Sequence, residues 1–387
     1  MSRPPIVPPA TVGVLGGGQL GRYAVLAATV MGYRTVVLDP VAGAPAGVVA
    51  SEHLVAPYDD EPALRRLAEL CDVVTTEFEN PPSASLDLLA HELSVAPPPA
   101  AVAIAQDRIS EKAFLRTNGF PVGPYDVRTD GSPATALEVT GPAVVKTARL
   151  GYDGKGQRRV DGPEDVAAAW DDLGQVDCVV ESLLELRTEL SVLVARTADG
   201  RTTSWPVAEN AHVDGILDVT VVPAPIDDGL AIRAVELATS VAGALDYVGV
   251  LAVELFVVAG DDGDDRLLVN ELAPRPHNSG HWTLDACATS QFEQQVRAVC
   301  GTGLGPTAMT APACAMANLL GDLWFDPTGE PAEPDWAAVL DDPAAKLHLY
   351  GKHEPRPARK MGHLTAIADN VDDAAGRARE LRSSLSR

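Results

Sequence analysis

Two neighbouring apolar segments of the chain each contain a glutamate where a buried strand is expected. The first segment is 250–258 and contains Glu254, and the second is 266–271 and ends in Glu271. The glycine- and aspartate-rich residues 260–265 between them are typical of a turn, so the pattern predicts a hairpin. Such a hairpin can bring the two carboxylates side by side, which is costly in an apolar setting unless a positive group lies between them.

The carboxylate pair predicts a site for a divalent cation with oxygen ligands. Mg²⁺ in proteins is typically held by one or two carboxylates together with nucleotide phosphates. The run 270–282 also contains an arginine, two histidines and two asparagines, and no packing pattern requires it. The alternative is that Glu254 and Glu271 face solvent on an edge hairpin, as charged residues usually do. The pair, with the Arg-x-His-Asn run directly behind it, favours the site.

The composition limits the class of protein. A chain of 387 residues predicts two or three domains, and 46% hydrophobic with 22% charged residues is typical of a soluble globular protein. The absence of a long uncharged apolar run predicts that the chain does not span a membrane. Residues 1–10 are proline-rich and lack the apolar core of a signal peptide, so we expect a disordered lead and a cytoplasmic protein.

The charge and the cysteines exclude further classes. A net charge of −24 argues against nucleic acid as a partner, because phosphate backbones need a basic surface. If the ligand is a phosphate compound, positive charge must be local, and residues 352–360 form the densest basic segment. The five cysteines are widely spaced without a C-x-x-C motif, which indicates reduced thiols rather than disulfides or a zinc site.

The N-terminal region predicts a βαβ unit with a glycine-rich turn. An apolar strand at 11–15 leads into Gly16-x-Gly18-x-x-Gly21, a helical segment follows, and the next strand ends at Asp39. This spacing imitates the dinucleotide fingerprint, so an NAD-dependent oxidoreductase is one interpretation. The same turn suits any phosphate-bearing ligand that approaches a helix N-terminus. The proline cluster at 97–99 places the end of this domain near residue 105.

The middle region combines a lysine strand with a glycine-rich loop. Residues 143–146 predict a strand ending in Lys146, and 150–157 contain three glycines whose backbone N–H groups can bind phosphate. The alternative is a hairpin turn with a solvated lysine, which Asp-Gly favours. In the last region we expect helices at 227–245 and 285–299, and a solvated surface helix within 366–387.

The order of these motifs resembles the ATP-grasp superfamily and, within it, the 5-(carboxyamino)imidazole ribonucleotide synthetase family. The resemblance spans residues 11 to about 365, and its motifs are 16–22, 151–157, 270–282 and 359–364. It implies an α/β ATP-grasp fold of three domains. These are a Rossmann-like βαβ domain at 11–106, a small central α+β lid domain at 107–206, and a larger C-terminal α+β domain at 207–387 with a subdomain from about 307.

The resemblance also implies the reaction and the roles of residues. Enzymes of this family carboxylate 5-aminoimidazole ribonucleotide with ATP and bicarbonate through carboxyphosphate, use Mg²⁺ with Mn²⁺ as an alternative, and act as homodimers in purine biosynthesis. The metal ligands are Glu254 and Glu271, and the catalytic residues are Arg275, His277 and Lys146. The expected ATP-binding residues are Arg108, Lys146, Gly151, Tyr152, Asp153, Gly154, Lys155, Gly156, Gln157, Glu181, Ser182, Leu183, Leu184, Glu189, His212, Asn270 and Glu271. The expected ribonucleotide-binding residues are Gln19, Leu20, Glu77, Tyr152, Asn278, Lys352 and Arg359.

Alternatives remain at this stage. His212 also fits a simple turn residue, and Tyr152 also fits a packing aromatic. At the level of function, the alternatives are another carboxylate–amine ligase of the superfamily, an NAD-dependent oxidoreductase, and a nucleotide sensor without turnover. The Asn278–Ser279–Gly280–His281 run argues against other ligases, and the retained Lys146 and carboxylates argue against a sensor.

Overall fold

The structure is a computed structural model that describes residues 4–130, 138–151, 154–260 and 263–385. Tyr152 and Asp153, which were predicted to bind nucleotide or ribonucleotide, lie outside these ranges. The described residues form three β-sheets in chain order, each covered by helices.

The N-terminal sheet is parallel, with the strand order β3-β2-β1-β4-β5. Strands β1, β2 and β4 are almost wholly buried, as expected for parallel strands that helices cover on both faces. The elements are β1 (Thr11–Leu15), α1 (Gln19–Val30), β2 (Arg34–Leu38), β3 (Glu52–Leu54), α2 (Glu61–Leu70), β4 (Val73–Thr76), α3 (Ser83–Glu92), β5 (Ser94–Val95) and α4 (Pro99–Ala105).

A small antiparallel sheet follows, with the strand order β6-β9-β7-β8. One face packs on a helix through a cluster that includes Val145, Trp170 and Val180. The elements are α5 (Arg108–Thr117), β6 (Tyr125–Arg128), β7 (Ala143–Thr147), β8 (Gln157–Val160), α6 (Val166–Asp172) and β9 (Cys178–Ser182).

The third sheet has nine strands and holds the largest buried cluster of apolar residues. Its order is β15-β14-β10-β12-β13-β16-β18-β17, with β11 paired to β10. The strands are β10 (Leu186–Arg196), β11 (Thr202–Ser204), β12 (Ala208–Val213), β13 (Ile216–Val222), β14 (Gly249–Ala259), β15 (Asp265–Ala273), β16 (Ala313–Leu320), β17 (Ala345–Leu349) and β18 (Lys360–Ala368). The helices are α7 (Asp228–Ala244), α8 (Thr283–Ala286), α9 (Gln291–Val299), α10 (Ala337–Leu340) and α11 (Val371–Ser384).

The predicted carboxylate hairpin is confirmed. Strands β14 and β15 pair in antiparallel register with Glu254 directly opposite Glu271. The next pair is Leu255 with Val269, so Asn270 is an extra residue that has no partner in the ladder. This β-bulge changes the alternation of side chains at the point where both acidic residues lie.

Two predicted helices differ from the structure. The segment predicted as one helix at 285–299 is divided into α8 and α9, because the Ser290 side chain accepts a hydrogen bond from the Glu293 N–H and starts a new helix. The C-terminal helix begins only at Val371, since Ala366 belongs to β18. It is not simply solvated, because its alanine face packs into an apolar cluster through Ala374 and neighbouring residues.

The segment before β1, assigned above to a disordered lead, makes defined contacts at Ile6. The Ile6 N–H donates to the Cys300 carbonyl at 2.8 Å, and the Tyr33 hydroxyl donates to the Ile6 carbonyl at 2.8 Å. These bonds connect the N-terminal sheet with the end of α9. Within the described residues, none of the helices combines the length and apolar character required to cross a bilayer.

Candidate active site

The paired carboxylates of the hairpin form the centre of the site. Burial, and then the charge of Glu271, raise the pKa of Glu254 to about 7. The Arg108 guanidinium lies 3.3 Å from Glu271 Oε2, and His277 Nε2 lies 3.6 Å from Glu254 Oε1. Two close carboxylates that resist joint ionisation are a donor set suited to a hard divalent cation, which would neutralise both.

A lysine–carboxylate pair lies where the small sheet meets the large one. Lys146 on β7 is 2.5 Å from Glu181 Oε2, at the end of the neighbouring strand β9. Lys112 on α5 is 3.0 Å from the other oxygen of Glu181. Burial alone would raise the pKa of Glu181, but the two ammonium groups lower it to about 2, so Glu181 is ionised at neutral pH. Lys146 is therefore held in a half-buried position beside an ionised carboxylate.

The glycine-rich loop connects β7 to β8 beside this pair. Gly151 offers its carbonyl to Arg108 at 3.2 Å, and Gly154 and Gly156 have positive φ angles of 76° and 70°. A Cβ on Gly156 would lie 2.7 Å from Thr147 Oγ1, so glycine is required there by backbone and by space. The other predicted loop residues that the structure describes are Lys155, which is exposed, and Gln157, which begins β8.

The predicted nucleotide residues after Glu181 continue into the large sheet. Ser182 ends β9, and Leu183 is 47% exposed, with Leu184 next to it. Further along, Glu189 Oε2 lies 3.1 Å from His212 Nδ1 across the β10–β12 pair. Burial lowers the pKa of His212, but the hydrogen bond to Glu189 and the charges of Glu189 and Glu254 together outweigh burial and raise it above its usual value. His212 thus has an acidic partner on the neighbouring strand.

The run after β15 supplies an arginine and a neutral histidine. The Arg275 guanidinium bonds the Glu79 carboxylate, which comes from the loop after β4. Burial lowers the pKa of His277 well below its usual value, so the ring is uncharged at neutral pH. Its Nδ1 accepts the Ser279 N–H at 3.3 Å, which leaves the proton of the neutral ring on Nε2, the atom that faces Glu254.

Asn278 has an unusual environment next to this histidine. The residue is 5% exposed, and both polar atoms of its side-chain amide are buried without a hydrogen-bond partner among the described residues. A buried amide without partners is costly, and such groups are often satisfied by a ligand. This observation fits the predicted contact with the ribonucleotide.

The predicted ribonucleotide residues come together from the two ends of the chain. Lys352 Nζ donates to Gln19 Oε1 at 2.5 Å and to the Lys360 carbonyl at 2.6 Å. Leu20 follows Gln19 in the first turn of α1 and is 8% exposed. Arg359 is more peripheral, and its guanidinium donates to a backbone carbonyl at 2.6 Å. The predicted basic segment therefore reaches the N-terminal turn.

The N–H groups of the glycine turn at 16–21 already bond carboxylates of the protein itself. Glu77 accepts the Gly18 and Gly21 N–H groups, both at 3.1 Å, at the N-terminus of α1. Asp39 accepts the Gly17 N–H at 2.7 Å and the Tyr58 hydroxyl at 2.6 Å. In a dinucleotide site these groups would bind pyrophosphate and ribose. Here a carboxylate fills the anion position, so the NAD interpretation of the motif is wrong in this fold.

The individual pairs are electrostatically connected. Burial raises the pKa of Glu77 and the charge of Arg275 opposes this shift, while Glu189 and Glu79 both raise the pKa of Glu254. The lysine–carboxylate group, the carboxylate hairpin, the arginine–histidine run and the N-terminal turn thus lie in one contiguous region. The arrangement brings lysines, a facing carboxylate pair and an arginine together, which are groups that phosphoryl transfer to a small anion can use.

Comparison with known proteins defines the family. Residues 9–106 match a ribonucleotide synthetase preATP-grasp domain, 113–292 an ATP-grasp domain, and 314–377 a phosphoribosylaminoimidazole carboxylase C-terminal domain. An N5-carboxyaminoimidazole ribonucleotide synthase of Brucella melitensis is 44% identical over 371 residues, covering 95% of this chain and 99% of that protein. The chain belongs to the N5-carboxyaminoimidazole ribonucleotide synthase family. A Bacillus subtilis member is 42% identical over 96% of this chain and 95% of its own length.

Solved structures of the N5-carboxyaminoimidazole ribonucleotide synthase family share the fold. The ADP complex of one synthetase is 40% identical, with a TM-score of 0.88 over 98% of both chains. An Aspergillus clavatus enzyme in complex with ADP and 5-aminoimidazole ribonucleotide is 30% identical, with a TM-score of 0.84 over 97% of this chain and 98% of that chain. The predicted α/β ATP-grasp fold is confirmed.

Sequence reasoning missed some residues of this family member's site. Glu79, which holds Arg275, lies two residues after Glu77 in the same loop, so the acidic pair was a visible signal. Lys112 lies four residues after Arg108 on α5, a spacing that puts both side chains on one helix face. Its partner Glu181 could not be read from spacing, because the two residues meet only through the packing of α5 on β9.

Proposed function

We propose that this protein carboxylates 5-aminoimidazole ribonucleotide with ATP and bicarbonate, giving the N-carboxylated ribonucleotide, ADP and phosphate. The observation that carries the proposal is the position of the Glu254–Glu271 pair. Arg108 lies 3.3 Å from Glu271, and His277 lies 3.6 Å from Glu254. The family membership established above supports the same reaction.

The metal would be Mg²⁺, or Mn²⁺ in its place, held by Glu254 and Glu271 with Asn270 beside them. The fit rests on the hairpin register and on the raised pKa of Glu254, since two facing carboxylates need a cation to ionise together. When bound, the cation would neutralise charge on the nucleotide phosphates. Arg108, 3.3 Å from Glu271, would contribute a second positive charge on that side.

ATP binding is proposed for the residues between the two sheets. Lys146 would contact phosphate oxygens, and the loop with Gly154 and Gly156 would close over them with its backbone N–H groups. The adenine side would be formed by residues 181–184 and by the Glu189–His212 pair. The proposed lid belongs to the central region 107–206. Along the chain this region follows the proposed ribonucleotide-binding region 11–106 and precedes the proposed metal-binding region 207–387.

The chemistry begins with bicarbonate, which is a poor electrophile. Its oxygen attacks the γ-phosphorus of ATP, ADP leaves, and carboxyphosphate forms. Arg275 can bind the planar carboxylate in bidentate fashion after it exchanges Glu79 for the ligand. His277, neutral with its proton on Nε2, would donate a hydrogen bond to an intermediate oxygen. Exclusion of water by the lid protects this labile species.

The ribonucleotide would bind between the N-terminal turn and the basic segment. Lys352 and Arg359 suit its 5′-phosphate, and Gln19, already bound to Lys352, would orient the lysine. Glu77 and the unpartnered amide of Asn278 would provide polar contacts for ribose or imidazole, with Leu20 in the same proposed site. Tyr152, which lies outside the described residues, remains a proposed contact on the family pattern alone. Carboxyphosphate releases carbon dioxide and phosphate, and the amine takes up the carbon dioxide, losing a proton to form the carbamate. We also propose that the active form is a homodimer.

The test is ADP release by the purified protein with Mg-ATP and bicarbonate, with and without 5-aminoimidazole ribonucleotide. We expect ADP formation that depends on the ribonucleotide and that matches the loss of its free amine. Glu271→Ala should abolish turnover, and full activity in that variant would contradict the metal assignment. No stimulation by the ribonucleotide, in protein that binds ATP, would refute the proposed acceptor.

A further inference from the structure

Helix α5 carries two adjacent ionisable residues that are almost fully buried. Glu111 is 1% exposed and Lys112 is 4% exposed, and the predicted site contains neither residue. Neighbouring residues on a helix point about 100° apart, so a helix with one buried face rarely hides both. Burying a charge costs several kcal/mol unless it is paired and hydrogen-bonded. Both side chains therefore need partners that repay this cost.

The partners lie on the backbone of the bulged strand. Strand β15 is at the edge of the nine-stranded sheet. On its outer side the described residues form no further strand, and the Val269 N–H donates to the Pro121 carbonyl at 2.7 Å. Lys112 Nζ donates to the Asn270 carbonyl at 2.9 Å, and Glu111 Oε2 accepts the Leu272 N–H at 3.0 Å. The two bonds hold the backbone on either side of Glu271.

The same helix also reaches the Glu271 side chain. Arg108, one turn before Lys112, lies 3.3 Å from Glu271 Oε2. Helix α5 thus contacts this segment at three successive residues, twice through the backbone and once through a carboxylate. The extra residue Asn270 has no ladder partner, so the contacts from α5, with the Val269–Pro121 bond, support the backbone at the bulge.

Lys112 connects this strand to the small sheet. Its ammonium is 3.0 Å from Glu181 Oε1 while the other oxygen of Glu181 bonds Lys146. One buried ammonium group therefore touches the bulge and the carboxylate that holds Lys146. The separation between the metal hairpin and the nucleotide lysine is set through Lys112.

We propose that Glu111 and Lys112 are positioning residues that couple metal binding to nucleotide binding. Lys112 fixes Glu181 relative to Asn270, and Glu111 fixes the strand just beyond Glu271. Neither residue touches the reacting atoms. The proposal rests on the proposed function for its kinetic consequences, whereas the binding consequences follow from the nucleotide and metal site alone.

The test compares Lys112→Met with the matched control Arg116→Met. Arg116 lies one turn further along α5 and also pairs with a glutamate, Glu138, but its side chain is 44% exposed. Loss of a buried charge-assisted bond predicts a rise of about ten- to a hundredfold in the KM for Mg-ATP in Lys112→Met. The KM for the ribonucleotide should stay within about twofold, and Arg116→Met should match the wild type in both.

A binding measurement separates positioning from simple structural support. In the wild type, calorimetry should show that Mg²⁺ strengthens ADP binding, and in Lys112→Met this strengthening should shrink severalfold. Glu111→Met, which removes the acceptor for the Leu272 N–H, should act in the same direction. Glu111→Gln keeps an acceptor oxygen and is expected to have a smaller effect than Glu111→Met. The two Glu111 variants decide the question if Lys112→Met does not fold.

Three results would overturn the proposal. They are an unchanged Mg²⁺ effect on ADP binding in folded Lys112→Met, equal rises in both KM values, and equal behaviour of Glu111→Met and Glu111→Gln. If the proposed reaction is wrong, the result is different, because the wild type itself would then release no ADP in response to the ribonucleotide. The Mg²⁺–ADP coupling would still test the roles of Glu111 and Lys112 in that case.

Discussion

Glu254→Gln is expected to inactivate the protein and to stabilise its metal-free form. Burial and Glu271 raise the pKa of Glu254 from 4.5 to about 7. This difference corresponds to roughly 3 kcal/mol by which the folded protein disfavours the ionised carboxylate. A glutamine at this position is uncharged in both states and avoids this penalty.

The sign of the pH dependence follows from the raised pKa. The folded protein binds the Glu254 proton more tightly than the unfolded chain, so this group favours folding below pH 4.5. The advantage is lost as the pH rises through about 7. Without metal, Glu254→Gln should therefore be more stable than the wild type by up to roughly 3 kcal/mol at pH 8. At pH 5 the difference should fall to about 1 kcal/mol or less.

The assay is urea or thermal unfolding in EDTA at pH 5 and pH 8, with turnover measured in parallel at pH 8 with Mg²⁺. The control is Glu236→Gln, because Glu236 is exposed on α7. We expect the control to match the wild type, and turnover of Glu254→Gln to fall at least about a hundredfold, the scale seen when a key electrostatic group is removed. A variant that is less stable than the wild type at pH 8, or a difference that ignores pH, would refute the reasoning.

Three further predictions concern the metal, the ribonucleotide and the lid. The acid limb of the rate profile should shift to lower pH as Mg²⁺ is raised, because the cation competes with the Glu254 proton; a limb independent of Mg²⁺ would contradict this. Lys352→Ala should raise the KM for the ribonucleotide much more than the KM for ATP, and equal effects on both would argue against a phosphate role. Gly156→Ala should raise the KM for ATP severalfold, because its Cβ would lie 2.7 Å from Thr147 Oγ1. Gly174 has a similar positive φ, but a Cβ there would meet open space. Unchanged kinetics in Gly174→Ala would indicate that an effect of Gly156→Ala comes from crowding in the loop and not from a positive φ as such.

Much of the site could be predicted because its signals are local. The Glu254–Glu271 register follows from two apolar segments joined by a short turn, and the structure has the two residues directly opposite each other. The glycine-rich loop and Lys146 are adjacent in sequence, so their proximity is set by a single hairpin. The division of 285–299 into two helices was missed, although Ser290 followed by Glu293 is a capping signal that sequence carries.

Other parts of the site depend on contacts that no local pattern encodes. Gln19 and Lys352 are separated by 333 positions, and Arg275 and Glu79 by 196. The glycine turn shows the consequence most clearly. Its sequence is compatible with a dinucleotide, and the anion position is filled only because Glu77 reaches it from the loop after the neighbouring strand β4.

The sequence by itself determined the order of motifs, the carboxylate hairpin, the glycine-rich loop and the family resemblance. Each of these depends on residues close together in the chain, where turn chemistry and side-chain alternation act directly. The tertiary structure decided which charges meet, including the contacts of Lys112 with the Asn270 carbonyl and Glu181. Buried charges take the partners that packing brings to them, because leaving them unpaired costs more than any local preference supplies.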